Sequence, residues 1–328
     1  MDAADALREI AELLERERAS RYRARAFRQA AAVLAELPAE VVSDLSRLRA
    51  QKGIGDSTFE VIRQAQQGAV PDYLVELRSA VEPEVASALR SSLRGDLHSH
   101  TDWSDGITPL GTMVAAARAL GHEYLAVTDH SPRLRVARGL SAERLRAQMP
   151  QVRALSGDGL TVLAGIEVDI LDDGALDQDP ALLAELDVVV ASVHSKLRMD
   201  AAAMTRRMVA AVSDPHVNVL GHCTGRLVQG ERGTRPASDF DASAVFAACA
   251  ANGVAVEINS RPERQDPPDE LIAAALAEGC LFSIDSDAHA PGQLSLLDHG
   301  AARAEACGVP PARIVTTWGL ERLRAWAG

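Results

Sequence analysis

From residue 95 to the C-terminus, short β-rich apolar runs alternate with helical stretches rich in Ala, Leu and Arg. This alternation constrains the fold more than any other feature, because it predicts parallel strands joined by crossover helices. Seven strand–helix units fit a closed (β/α) barrel better than an open sheet, since polar residues end nearly every strand. The predicted strands lie near residues 96–101, 124–129, 161–169, 188–194, 217–222, 255–259 and 281–285.

The polar residues at these strand ends are His, Asp and Glu, which are ligands of divalent metals. The carboxyl ends of parallel barrel strands share one mouth, where active sites are built. Side chains at i and i+2 of a strand share a face, so we expect His98 and His100 to grip one ion. For the same reason, Asp287 and His289 are expected to face the same cavity. The other candidates are Asp105, His130, Glu167, His194 and His222.

Each candidate also has an ordinary structural explanation when it is taken alone. Asp105 is equally suited to cap the helix that follows Thr108, and Glu167 to form a salt bridge. The joint pattern is more specific, because six of the nine histidines lie at the carboxyl ends of predicted strands or just beyond them. We assign the other three to structural roles; they are His122, His216 and His299.

Composition narrows the class of protein. Aromatic residues make up only 3% of the chain, so its core must consist of Ala, Leu and Val. The four cysteines are far apart and form no CxxC pair, which argues against a disulfide scaffold or a thiolate zinc site. With no signal peptide and no membrane-spanning apolar run, we expect a cytoplasmic protein. The net charge of −12 is the wrong sign for coating nucleic acid, although it permits a local basic patch.

The first 80 residues differ from the rest of the chain. Their formal charge is −1, whereas residues 81–328 carry −11. Apolar residues recur there at helical spacing, and Gly53-Ile54-Gly55 forms a tight turn between helices. We therefore predict a small all-α domain over residues 1–80, a linker over 81–93 and an α/β barrel domain over 94–328.

Residues 94–328 resemble a PHP (polymerase and histidinol phosphatase) domain. The matching segments, in family order, are DLHSHTDWSDG, VTDHS, AGIEVDIL, ASVHS, GHCTGRL, VEINS and SDAH. The resemblance implies a distorted seven-stranded barrel with a trinuclear metal site. By position, the first ion is held by His98, His100, Glu167 and Asp287, the second by Glu167, His194 and His222, and the third by Asp105, His130 and His289.

The resemblance further implies a phosphoesterase that hydrolyses its substrate with metal-activated water. Glu167, His194 and His222 then carry the catalytic role. The three divalent ions expected are Zn or Mn, with Fe or Mg as the alternatives. Arg226 is the first candidate for the substrate phosphate, with Lys196 and Arg264 behind it. Asp96 and Asp129 are expected to orient imidazoles. Cys223 departs from the family's GHPTGR and places a thiol beside a ligand.

Residues 1–80 resemble the N-terminal lyase domain of family X DNA polymerases, through RYRARAFRQAAAVLAELP and the GIG hairpin. In that family, the helix-hairpin-helix turn offers backbone N–H groups to a DNA phosphate, so Gly53 and Gly55 are candidate DNA contacts. Arg21, Arg25 and Arg28 share a helical face and could bind another phosphate. The alternative is a solvated face, whose charge Glu15 and Glu17 balance.

Two departures limit that second resemblance. The family's Schiff-base lysine falls at Val61, and Lys52 is the only lysine in the segment, so we expect no lyase chemistry. The polymerase palm and fingers are missing between the two matching regions, so we do not expect a polymerase.

The expected function is a 3′–5′ exonuclease or 3′-phosphatase acting on DNA ends during repair. The first alternative is a small-molecule phosphomonoesterase of the histidinol-phosphate type, and the second is a non-catalytic DNA-binding adaptor. The expected partners are a phosphate-ester substrate and DNA through residues 1–80, with no membrane; the oligomeric state is left open.

Overall fold

Seven parallel β-strands form the larger of the two units into which the chain divides. The computed structural model describes residues 1–17, 21–80, 87–229 and 233–328. The strands are hydrogen-bonded in sequence order, and every pairing is parallel. They are β1 (Gly95–Asp96), β2 (Tyr124–Val127), β3 (Thr161–Asp169), β4 (Val188–Ser192), β5 (Val219–Leu220), β6 (Ala255–Asn259) and β7 (Leu281–Asp285).

Hydrogen bonds between the segments of β1 and β7 bring the sheet close to a closed barrel. An isolated parallel bridge joins Ser99 to Ala288, and the N–H of His100 donates to the carbonyl oxygen of Ala288. Beside this bridge, a side chain replaces the backbone ladder, because the carboxylate of Asp285 accepts from the N–H of Leu97 at 2.8 Å. The predicted (β/α)7 barrel is confirmed.

Two layers of side chains fill the barrel interior. The layer near the amino ends of the strands is apolar and includes Tyr124 and Val190, with Trp318 packed against it from the C-terminal segment. The layer near the carboxyl ends is polar and includes Glu167 and Glu257, both fully buried. Buried carboxylates are costly unless they are paired or bind cations, so the polar layer marks the end of the barrel where a site is expected.

The N-terminal unit is helical throughout its described part and has a separate apolar core. Leu7, Ile10, Phe27 and Ile62 are buried in that core. The helices are α1 (Ala3–Arg16), α2 (Arg21–Glu36), α3 (Ala39–Val42), α4 (Leu45–Arg49), α5 (Asp56–Gln66) and α6 (Asp72–Ala80). The predicted linker lies partly outside the described residues.

The helices of the barrel unit pack their apolar faces on the outside of the sheet, in one continuous core. Short polar residues start several of them: Ser141, Asp200 and Asp241 each accept a hydrogen bond from a backbone N–H in the first turn. The helices are α7 (Leu110–Ala119), α8 (Ala142–Ala154), α9 (Pro180–Leu183), α10 (Ala201–Val212), α11 (Ala242–Asn252), α12 (Asp269–Ala277), α13 (Leu297–Ala306) and α14 (Leu320–Ala327).

Four strands end earlier than the sequence predicts. The predicted strands 96–101, 124–129, 188–194 and 217–222 leave the ladder at residues 96, 127, 192 and 220. Side chains replace the ladder bonds beyond two of these points. The N–H of Thr101 donates to Asp129, and the N–H of His222 donates to Glu257. Several candidate ligands therefore lie on loops that begin at the strand ends.

Candidate active site

The nine candidate metal ligands converge at the carboxyl ends of the strands. Glu167 lies on β3, while His98 and His100 follow β1 and Asp287 and His289 follow β7. The remaining four follow β1, β2, β4 and β5; they are Asp105, His130, His194 and His222.

Glu167 lies at the centre of this arrangement, with an imidazole nitrogen near each carboxylate oxygen. The five nitrogens lie 2.7–3.6 Å from the two oxygens. Oε1 faces His194 and His222, and Oε2 faces His98, His100 and His130. One carboxylate is thus placed to link two groups of imidazoles.

A second carboxylate, that of Asp105, joins two histidines on the other side of the cluster. Asp105 Oδ1 lies 3.3 Å from His130 Nε2 and 3.3 Å from His289 Nε2. Asp287 Oδ1 lies 3.5 Å from His100 Nε2. These contacts lie within the predicted third and first sets, and the contact of 2.7 Å between His130 Nδ1 and Glu167 Oε2 links the third set to the other two.

The ligand atoms at the centre have no hydrogen-bond partner among the described residues. Both oxygens of Glu167, both ring nitrogens of His100, His98 Nε2 and Asp105 Oδ1 are buried in this state. A buried polar atom without a partner costs about 1–3 kcal/mol. So many in one place fit a site built for cations, with imidazole and carboxylate donors that suit Zn, Mn or Fe.

The candidate ligands form four overlapping groups of three or four residues. Within each group, the donor atoms all lie within 4.8 Å of one another. One group consists of His98, His100 and Asp287, which are three of the four residues predicted for the first ion; the fourth, Glu167, belongs to two other groups. His100 joins Asp105, His130 and His289 in a four-residue group, which is one residue larger than the predicted third set. The division of these nine residues among individual ions stays a prediction.

The charges within the cluster keep Glu167 ionised and His100 neutral. Burial alone would raise the pKa of Glu167, but His194, His130 and His98 hold that pKa well below its ordinary value. Burial, with His289 and His130 nearby, lowers the pKa of His100 to about 3. An ionised carboxylate and a neutral imidazole are the metal-binding forms of these side chains. Burial would lower the pKa of His98 and His130, but the carboxylates around them raise both values, so a bound cation has to replace those protons.

Glu257 is a functional residue that the sequence analysis missed. Its Oε1 lies 2.6 Å from His98 Nδ1, and its Oε2 accepts from the N–H of His222. Asn259 bridges Glu257 and Asp287, with both bonds at 3.2 Å. Period-two alternation within β6 would have found Glu257 and Asn259, because they share the inward face with Ala255.

Asp96 and Asp129 do not orient imidazoles, contrary to the prediction. Asp96 accepts from the N–H of His98 and from Ser286, and Asp129 accepts from Thr101, among other donors. These two carboxylates bind backbone N–H groups and hydroxyls, because both lie at points where the chain leaves the ladder. They hold the loops that carry the candidate ligands. The carboxylate that contacts an imidazole ring is that of Glu257, beside His98.

Of the three predicted phosphate-binding cations, Arg264 lies nearest the cluster. Its Nε donates to Asp287 Oδ2 at 3.1 Å, and its side chain is 14% exposed. Arg226, the first candidate, points elsewhere, because its guanidinium donates to the carbonyl oxygens of Arg264 and Gln265. Lys196 is 62% exposed and pairs with Asp172 at 2.5 Å.

Arg261 was also missed, and it lies deeper than Arg264. The side chain is buried, and Nη1 donates to the carbonyl oxygen of Asp287 and lies 3.1 Å from His289 Nδ1. The pairing of Nε with Glu263 fixes the guanidinium plane. The only signal in the sequence was the position, two residues beyond the end of β6.

Cys223, the residue that departs from the family pattern, is buried, and burial raises the pKa of its thiol well above the ordinary value. Cys223 packs in the apolar core around the barrel, so its thiol is in the unreactive form. The departure leaves the nine candidate ligands intact.

The helix-hairpin-helix turn has the backbone geometry that its glycines predict. Gly53 has a φ of 97°, a conformation that favours glycine. The N–H of Gly55, in contrast, donates to Thr58 Oγ1 at 2.9 Å, so the hairpin itself uses this candidate DNA donor. Val61, at the position of the family's lysine, is buried in the core.

The predicted arginine face of α2 is divided in the structure. Arg25 is exposed. Arg28 is paired in two parallel bonds of 2.5 Å with Glu15, whose side chain is only 1% exposed. Its guanidinium is therefore engaged within the helical unit and unavailable to a phosphate. The side chain of Arg21 lies outside the described part of the chain, and so do residues 18–20, which follow Glu17.

Residues 96–261, half of the chain, match the PHP domain. The chain belongs to the PHP family. It is a hydrolase of phosphoric esters in a family that depends on metals, as the resemblance implied. Residues 1–68 match a helix-hairpin-helix domain, which agrees with the second resemblance.

Two curated relatives cover different parts of the chain. The PHP-containing "DNA polymerase/3'-5' exonuclease PolX" of Bacillus subtilis is 38% identical over 199 residues, which are 60% of this chain and 34% of the relative. The chain thus spans about a third of that relative's length. The "Probable phosphatase YcdX" of Escherichia coli is 28% identical over 230 residues, covering 67% of this chain and 88% of the relative.

A solved structure of histidinol phosphate phosphatase from Lactococcus lactis, complexed with zinc, L-histidinol and phosphate, is also similar to this PHP protein. It is 18% identical, with a TM-score of 0.46, and the similarity covers 66% of this chain and 94% of that one. Among the described residues, no helix is both long and apolar enough to cross a membrane.

Proposed function

We propose that the protein hydrolyses phosphate esters at DNA ends, as a 3′–5′ exonuclease or 3′-phosphatase, with three divalent ions bound by the nine converging side chains. The observation that carries the proposal is the carboxylate of Glu167. It is fully buried, lies within 3.6 Å of five imidazole nitrogens and has no hydrogen-bond partner among the described residues. Cations are the partners that such a group requires.

The residues would hold the ions in the three predicted sets, with Glu167 shared between two of them. When bound, divalent ions supply Lewis-acid activation of water and neutralise charge that develops on the phosphoryl oxygens. Zn and Mn fit the donor set best.

The surrounding side chains position these ligands and the substrate. Glu257 holds the Nδ1 side of His98, so Nε2 faces the cluster. Arg264 and Arg261 place two guanidinium groups beside Asp287. Arg264, the more exposed of the two, is suited to bind a phosphate oxygen at the rim, because guanidinium groups match phosphate geometry.

Support for DNA as the substrate comes from the N-terminal region. Residues 1–68 match a helix-hairpin-helix domain, and the Bacillus subtilis relative is named as a polymerase and 3′–5′ exonuclease. Exposed Arg25 and Lys52 are the cations of this region that would contact a DNA phosphate. A DNA-contacting domain has little use in an enzyme for small metabolites.

A small-molecule phosphomonoesterase is the second candidate function. The charge of −11 over residues 81–328 favours it, since an acidic domain repels nucleic acid. The Escherichia coli relative, named as a probable phosphatase, matches over 88% of its own length. Salt-sensitive binding of DNA by the full chain favours the first function, and absence of binding at low salt favours the second.

The decisive experiment measures turnover of three substrates by protein reconstituted with Mn or Zn. The substrates are single-stranded DNA, a 3′-phosphorylated oligonucleotide and histidinol phosphate. We expect turnover of at least one DNA substrate, and a loss of about 100-fold or more in His98→Ala.

His216→Ala is the matched control, because His216 precedes β5 and its ring pairs with Asp214 instead of the cluster. It should retain wild-type turnover. Full activity in His98→Ala would refute the assigned site. Turnover of histidinol phosphate alone would establish the second function, and turnover of none of the three would contradict the phosphoesterase proposal.

A further inference from the structure

The loop that follows β2 projects from the barrel mouth beside a candidate ligand. This arginine loop, residues 131–140, begins directly after His130 and returns to it, since the N–H of Leu140 donates to the carbonyl oxygen of His130 at 2.7 Å. The two sides meet closely at the neck, where a Cβ on Gly139 would lie 1.8 Å from the carbonyl oxygen of Ser131. Its position is thus fixed relative to His130.

The loop begins a basic stretch within an acidic domain. Residues 131–154 contain six arginines and one acidic residue, Glu143, whereas residues 81–328 as a whole carry a charge of −11. The arginines of this stretch are Arg133, Arg135, Arg138, Arg144, Arg146 and Arg153. Arg153 pairs with Asp187 just before β4, at the opposite end of the strands. The arginines that precede it on the loop and at the start of α8 create a local positive field at a mouth that is otherwise rich in carboxylates.

Four of these six arginines, those on the loop and Arg144 at the start of α8, divide into two groups by their partners. Arg138 and Arg144 donate to carbonyl oxygens of residues 102–104, so they brace the loop against the segment that leads to Asp105. Arg133 and Arg135 are exposed, and their guanidinium groups make no hydrogen bond or ion pair with any described residue. Both guanidinium groups are therefore held on a braced loop without a direct ion pair to a described residue. Asp172, whose pKa is lowered by Lys196 first and also by Arg207 and Arg133, screens Arg133 in part.

The nearby acidic side chains are engaged in part, since Asp172 Oδ1 has no hydrogen-bond partner among the described residues. Asp177 accepts from the hydroxyl of Ser131 and from the backbone N–H of Arg133, and Asp172 pairs with Lys196. Between the two free arginines and the neck, Val136 is 93% exposed. Free guanidinium groups beside an exposed apolar side chain suit a ligand that combines phosphates with sugars and bases.

We propose that Arg133 and Arg135 bind the backbone phosphates of a polynucleotide strand whose terminal ester lies at the Glu167 cluster. The inference rests on the proposed function and deepens it, because it assigns the substrate to polymers and places the recognition of the strand on this loop. Val136 contacts the sugar or base between the two phosphates. A small phosphate ester at the cluster lacks the additional backbone phosphates that the two arginines bind.

The first test compares kcat/KM for a 3′-phosphorylated hexanucleotide with that for a 3′-phosphorylated mononucleotide. In Arg133→Ala/Arg135→Ala, we expect the ratio of hexanucleotide to mononucleotide to fall about tenfold, because two charge-assisted contacts are lost. The matched control is Arg206→Ala/Arg324→Ala, which removes two exposed arginines from helices α10 and α14. An unchanged ratio in the first variant, or an equal fall in both, would overturn the inference.

The second test measures binding without turnover, so the inference can fail separately from the proposed function. Fluorescence anisotropy of a labelled single-stranded hexanucleotide with the full chain gives the affinity over a range of salt concentrations. Loss of two phosphate contacts should make the slope of log K against log salt shallower by about 1.4. Equal slopes in wild type and the loop variant would refute the loop's role. The expected change in slope, together with no turnover of any DNA substrate, would refute only the proposed function.

Discussion

Glu257 is a single buried carboxylate on β6 that contacts two candidate ligands, the ring of His98 and the backbone of His222. A carboxylate that accepts from one imidazole nitrogen fixes the tautomer and makes the opposite nitrogen a better ligand. We therefore expect Glu257→Gln to weaken metal binding by roughly 10- to 100-fold. Competition with a fluorescent chelator measures this affinity directly.

The control for that variant is Glu185→Gln, which makes the same change at an exposed position. It should bind metal as wild type does. Equal affinities in Glu257→Gln and wild type would mean that Glu257 only fills space in the barrel.

At the residue scale, sequence could predict which side chains converge because each candidate ligand is a metal-capable residue at a strand end or just beyond it. It could not predict the partners of the cations. Arg226 has the expected position after a ligand, but its guanidinium turns to the carbonyl oxygens of residues 264 and 265. Arg261 lies farther along the chain and reaches the cluster. Such directions depend on tertiary contacts that no local pattern encodes.

At the scale of elements, Arg207 connects α10 to the loops that follow β3, the strand of Glu167, and β4, the strand before His194. It is 1% exposed and donates to the carbonyl oxygens of Ile170, Leu171 and Ser195, which follow β3 and β4. Arg207→Met keeps the apolar stem but leaves the carbonyl groups of Ile170 and Ser195 without this donor, whereas that of Leu171 keeps a bond from the N–H of Gly174. We expect a loss of about 2–4 kcal/mol in the free energy of unfolding, measured by urea denaturation.

The neighbouring residue supplies the control, because Arg206 lies on the same helix and is exposed. Arg206→Met should change the unfolding free energy by less than about 0.5 kcal/mol. Similar losses in the two variants would show that the carbonyl contacts of Arg207 contribute little.

The elements themselves were predictable where the pattern was long. Strands β3, β6 and β7 have the predicted bounds. Strands β1 and β5 are only two residues long, because carboxylates of Asp96, Asp285 and Glu257 bind backbone N–H groups that a longer ladder would use. The sequence pattern does not reveal this substitution of side chains for ladder bonds.

At the scale of the whole molecule, the proposed ions bind only the barrel unit. Its three tryptophans are also the only ones in the chain, at positions 103, 318 and 326. Tryptophan fluorescence therefore reports unfolding of the barrel without a signal from the helical unit. We expect EDTA to lower the melting temperature of the barrel, measured by this fluorescence, by roughly 5–10 °C. The reason is that a ligand at 100 times its Kd adds about 2.7 kcal/mol to the free energy of unfolding.

Restoring Mn or Zn should recover the melting temperature, and His98→Ala should show a smaller shift with EDTA. A melting temperature that does not respond to EDTA in protein reconstituted with metal would contradict binding at the cluster.

The seam between the first and last strands has a consequence for the order of assembly. Asp96 and Ser286, which bond across it, are 190 residues apart in the chain, and candidate ligands stand on both sides. Contacts of such long sequence separation form slowly, because much chain entropy is lost before they form. A nascent chain that lacks β7 holds seven of the nine donors and lacks Asp287 and His289. The cluster is thus completed only after the chain through His289 has been synthesised and β7 has joined the barrel, so capture of the full set of ions marks closure of this seam.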